Sequence, residues 1–81
     1  LSQLFAHKRN ELNLSQEVMA QAFGVSKQAV SNWESGIREP SSETLIETLV
    51  KSEWLWARQL ALLALHMRYP GVFINPKLER A

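Results

Sequence analysis

Residues 14–36 read LSQEVMAQAFGVSKQAVSNWESG, and this stretch decides how the rest of the chain is understood. Ser15 is a helix cap candidate, and Glu17 puts negative charge in the turn that follows. Met19, Ala22 and Phe23 recur at helical spacing, with Ala20 keeping one position small. Gly24 stops the run where the chain needs a positive φ that other residues resist. Ser26 is a second cap candidate, and Ala29, Val30 and Trp33 mark a second buried stripe. The spacing predicts helices over about residues 16–23 and 27–35, with Gly36 ending the second.

Two short amphipathic helices joined by a glycine turn make a helix-turn-helix. The polar residues left over on its second helix are Lys27, Gln28, Ser31 and Asn32, types that suit base edges and phosphates. The Gln28 amide can pair with adenine N6 and N7, worth about 1–3 kcal/mol of discrimination. An exposed glutamine with no partner is the plainer alternative. Lys27 fits guanine or a phosphate equally well, and the Ser31 hydroxyl bonds any base. Gln16 adds a side-chain donor at a helix start, a position already favourable to phosphate. Trp33 falls on the inward stripe, which makes it core and not an intercalating wedge.

Outward from this stretch, residues 2–12 form a first helix with Leu4, Phe5, Lys8 and Leu12 on one face. Asn13 ends it, because Asn tolerates the left-handed conformation. After the loop closed by Pro40, Ser41 caps a fourth helix to about Val50, with Leu45, Ile46, Leu49 and Val50 facing the core. The expected core is Leu4, Phe5, Leu12, Met19, Phe23, Val30, Leu45, Ile46 and Leu49. From Ser52 the composition changes. Trp54, Leu55, Trp56, Ala57 and the run from Leu60 to Met67 give a fifth helix that is apolar nearly all round. A surface helix needs only one apolar stripe, so a second exposed face implies an interface. Trp54 and Trp56, two apart, are expected on different sides, one core and one interface. Pro70 and Gly71 end the helix, and Val72, Phe73 and Ile74 form a short β-prone arm. A unit over residues 1–51 with a dimerisation region over 52–81 is the expected division. Trp56, Leu60, Leu63 and Phe73 are its expected dimer contacts.

The chain has 81 residues and no cysteine, so disulfides are excluded and a second subunit is the simplest way to extend a small core. No Cys/His cluster offers a metal site, and no cofactor is expected. His7 and His66 lack a partner at ligand spacing, and no nucleophile–base pair or glycine-rich phosphate loop is present, so an enzyme is not expected. The apolar run near Leu60 is too short for a bilayer, and no charged-then-apolar leader is seen. A bacterial cytoplasmic protein is the expectation. Net charge is +1. Residues 1–40 balance Lys8, Arg9, Lys27 and Arg38 against Glu11, Glu17, Glu34 and Glu39. Affinity for nucleic acid must therefore rest on placed contacts and two-fold binding more than on bulk charge.

The quoted residues resemble the lambda-repressor/Cro-like, or XRE-type, helix-turn-helix family over about residues 2–50. The LSQE start, the small Ala20, the GVS turn, the WESG ending and the REPS loop carry the resemblance. It implies a compact all-α, five-helix DNA-binding domain. It implies that Lys27, Gln28 and Ser31 reach bases, while Gln16, Ser26, Asn32 and Arg38 meet the DNA backbone. It also implies a partly buried ion pair between Arg9 and Glu34. The chain departs from the pattern at Asn13, where glycine is usual, at Lys8, where an aliphatic residue is common, and at Val18, where a polar one is. The resulting expectation is a homodimeric transcriptional repressor on a palindromic duplex operator, of the sort found on plasmids and phages, with no membrane partner and no small-molecule effector. A restriction-modification controller protein is one alternative. An antitoxin or adaptor that uses its apolar helix to bind another protein is the other.

Overall fold

The computed structural model describes residues 1–71 as five helices: α1 (Ser2–Glu11), α2 (Gln16–Phe23), α3 (Lys27–Ser35), α4 (Ser42–Lys51) and α5 (Leu55–Arg68). No strand occurs among the described residues, and the fold is all-α. The arm expected at residues 72–74, with Phe73, lies outside them. No helix among the described residues is long and apolar enough to cross a membrane.

Serines start three of the helices. Ser15, Ser26 and Ser41 have extended backbones, and each Oγ accepts from the backbone N–H three residues on, of Val18, Ala29 and Thr44, at 3.1 Å. Each such cap contributes about 0.5–2 kcal/mol. Gly24 (φ 67°) and Gly36 (φ 83°) close α2 and α3 in the left-handed conformation, and Asn13 (φ 60°) takes it between α1 and α2.

Phe5, Phe23 and Trp33 meet at the centre of the helix-turn-helix, with ring centroids 5.6, 5.3 and 5.7 Å apart. Edge and tilted contacts of this kind add about 0.5–1.5 kcal/mol each beyond area burial. Met19, Val30 and Leu45 are fully enclosed beside them. α5 completes the same core. Ala57, Leu60, Ala61, Ala64 and Leu65, at helical spacing, form its buried stripe, while Leu55, Leu62, Leu63 and Met67 stand on the opposite face.

Several core assignments from the sequence are corrected. Leu12, Ile46 and Val50 are exposed. Leu12 is the C-terminal cap of α1, where the backbone has left the helix and carries the side chain off the buried face. The inward stripe of α4 is Leu45, Thr48 and Leu49, which turns Ile46 and Val50 outward. Thr48 is tolerated inside because its hydroxyl donates to the Thr44 carbonyl at 2.9 Å. Leu60, expected at a dimer surface, is 1% exposed and belongs to the core. An all-apolar helix does not announce its phase, and Leu60 falls on the stripe that packs against α4. Trp54 and Trp56 do not face different sides; their rings stack at 5.9 Å and 17°. Trp54 precedes α5 in an extended conformation, so helical spacing does not govern it.

Candidate nucleic-acid interface

α3 is held from behind and free in front. Val30 is fully buried, Trp33 nearly so, and Ala29 packs against the core. Lys27 and Gln28 are exposed on the other side, and Ser31 and Asn32 are half-buried beside them. Lys27 and Ser31 stand one turn apart, as do Gln28 and Asn32, so the four polar residues share one face. Gln28 Nε2 donates to Asn32 Oδ1 at 3.0 Å. That bond uses one amide hydrogen, and the second hydrogen and the carbonyl oxygen remain for a bidentate partner. The Ser26 hydroxyl, at the exposed start of α3, is engaged as the cap acceptor and keeps its own proton to donate.

Behind this face lies a charged node. Arg9 Nε donates to Glu34 Oε2 at 2.7 Å, and Arg9 Nη2 donates to Glu34 Oε1 at 3.0 Å. Arg9 Nη1 reaches the Leu14 carbonyl at 3.0 Å, and Gln16 Nε2 donates to Glu34 Oε1 at 3.2 Å. The side chains of Arg9 and Glu34 are only 20% and 11% exposed. One carboxylate therefore ties α1, the loop at Leu14, the first residue of α2 and the end of α3. Burial by itself would raise the Glu34 carboxyl, but the bonds from Arg9 and Gln16 and the Arg9 charge outweigh it and hold the group below its ordinary value. The bond to Glu34 raises Arg9 in turn, against its own burial. Gln16 is thus occupied on one amide hydrogen, and the second is left for a ligand.

Arg38 is exposed in the loop after α3. Two successive N–H groups, of Ile37 and Arg38, donate to the Asn32 carbonyl at 3.0 and 3.3 Å and set the chain's exit from α3. The other end of the loop is held by a residue that sequence reasoning missed. Arg68, in the last turn of α5, donates to the Pro40 carbonyl at 2.7 Å, to Ser42 Oγ at 3.1 Å and to Glu39 Oε1 at 3.2 Å. Its one legible signal is a cation on an apolar helix, and nothing in the local pattern names acceptors 26 to 29 residues away.

Of the residues expected at a dimer surface, Leu63 is 41% exposed and Trp56 is half-buried against the core. The structure thus brings Lys27, Gln28, Ser31 and Asn32 together, links Gln16 to Arg9 and Glu34, and separates Leu60 from Leu63. A positively charged or amide-bearing helix face with a rigid apolar back is chemically suited to the major groove of duplex DNA.

Comparison with known proteins agrees with this geometry. Neither a curated protein nor a solved structure matches the chain. A family model described as Helix-turn-helix matches residues 6–47, a little over half of the 81 residues, from within α1 into α4. The chain belongs to the helix-turn-helix family of the lambda-repressor/Cro-like, XRE type, and is a DNA-binding regulator of that class.

Proposed function

We propose that this regulator is a sequence-specific transcriptional repressor that binds an inverted-repeat operator as a homodimer. The observation that carries the reading is the front of α3, where Lys27, Gln28, Ser31 and Asn32 stand clear while Val30 and Trp33 fix the helix from behind. Lys27, Gln28 and Ser31 read base edges in the major groove. Gln16, Ser26, Asn32 and Arg38 hold the backbone and set the register. One recognition helix offers too little surface for tight specific binding, and a two-fold pair supplies the second half-site. The outward apolar face of α5, with Leu55 68%, Leu63 41% and Met67 50% exposed, supports pairing through that helix. Repression follows from covering promoter elements.

Selection of binding sites from random duplex DNA with the purified chain tests the proposal. The expected product is a palindromic consensus with half-site centres about 10–10.5 bp apart, one helical turn. Half-sites recovered singly would remove the homodimer. No enriched sequence at all would remove the specific reader and favour a protein partner for α5.

A further inference from the structure

The guanidinium of Arg68 lies far along the chain from α3, yet it closes the loop that carries Arg38. Three acceptors converge on it: the Pro40 carbonyl at 2.7 Å, Ser42 Oγ at 3.1 Å and Glu39 Oε1 at 3.2 Å. Its side chain is 18% exposed, Pro40 is buried, and Ser42 Oγ also bonds the Tyr69 hydroxyl at 2.8 Å. The Glu39 carboxylate, by contrast, is 64% exposed, so an ion pair at the surface is not what the arrangement is built around. The short bond to a backbone carbonyl is. On the other flank the Asn32 carbonyl accepts from the Ile37 and Arg38 N–H groups at 3.0 and 3.3 Å. Residues 37–42 are therefore pinned at both ends, and Arg38 is the exposed cation between the pins.

We propose that Arg68 is a positioning residue for DNA binding: by fixing the chain at Glu39, Pro40 and Ser42 it holds Arg38 where its side chain meets the DNA backbone. This rests on the reading of Arg38 as a backbone contact. It makes α5 part of the DNA grip, since the helix that offers an apolar face on one side clamps the backbone-contacting loop with its last turn. A lysine in place of Arg68 keeps the charge but loses the planar fork that spans three acceptors, so charge and positioning are separable.

The test is a double-mutant cycle in binding to a selected duplex, read as affinity and as its dependence on salt, with the unfolding temperature of every variant measured alongside. Arg38→Ala alone should weaken all sequences alike and shrink the salt slope by about one unit. In an Arg68→Met background, Arg38→Ala should change affinity less than twofold and leave the slope where Arg68→Met has already put it. Arg68→Lys should behave like Arg68→Met in this respect although the net charge is unchanged, and it is the milder variant if methionine unfolds the chain. If Arg38→Ala costs the same factor and the same slope in all three backgrounds, Arg68 is structural only and the inference is wrong. If Arg38→Ala changes nothing in the wild type, there is no contact to position and the inference also fails. Sequence preference measured on the same duplexes tests the reading by α3 separately.

Discussion

Replacing Glu34 with alanine measures how much of the scaffold behind α3 depends on one carboxylate. Glu34 accepts two N–H bonds from Arg9 and one from Gln16, at 2.7, 3.0 and 3.2 Å. The variant leaves a guanidinium that is four-fifths covered with only the Leu14 carbonyl as partner. Breaking a buried pair from one side costs about 3–5 kcal/mol, because the surviving charge stays buried. A domain of this size is stable by roughly 4–12 kcal/mol in all. Each kcal/mol moves the midpoint of so small a domain by about 4–8 °C, so Glu34→Ala should lower Tm by about 12 °C or more. Removing both partners should do far less harm, and Arg9→Met with Glu34→Leu should come within about 1 kcal/mol of the wild type or exceed it. The pH dependence has a definite sign. Glu34 is held below its unfolded value, so its stabilisation is complete above the unfolded carboxylate pKa of about 4.3 and is lost as pH falls through the folded value. Acidification should therefore destabilise the wild type more than the double variant. Urea titrations followed by circular dichroism at several pH values supply these numbers. A loss below about 1 kcal/mol for Glu34→Ala, or a double variant as weak as the single, would refute the reasoning.

The two leucines of α5 make opposite predictions. Leu63→Glu, on the outward face, should give folded monomers by light scattering, and an unaltered dimer would remove that face as the interface. Leu60→Ala, inside the core, should cost about 2–5 kcal/mol in urea unfolding; a cost below about 1 kcal/mol would mean that Leu60 is not enclosed as described.

The sequence carried the helix-turn-helix almost residue by residue, because each boundary there has a local chemical mark. Ser15 and Ser26 show the starts, Gly24 and Gly36 the ends, and Asn13 the one left-handed non-glycine residue. The recognition face was equally legible, since Val30 and Trp33 on one side leave Lys27, Gln28 and Ser31 on the other. Phase was lost where the marks fail. In α4 a threonine with a satisfied hydroxyl occupies a core position that the pattern gave to isoleucine, and in α5 nearly every residue is apolar, so Leu60 and Leu63 look alike until packing separates them. The two tryptophans misled for a related reason, as helical geometry was assumed for Trp54, which stands just outside the helix. Arg68 and the bond from Gln16 to Glu34 were invisible because they join residues distant in sequence through single side chains.

The central claim is that the front of α3 reads bases, and one ratio tests it most directly: affinity for the selected duplex over affinity for a scrambled duplex, at physiological salt. A specific reader should show a ratio of about 10³ or more. Gln28→Ala should lower that ratio by roughly 5- to 150-fold, the equivalent of about 1–3 kcal/mol at one base pair, while unfolding as the wild type does. Equal affinity for the two duplexes, or a ratio untouched by Gln28→Ala and by Lys27→Ala alike, would contradict the account.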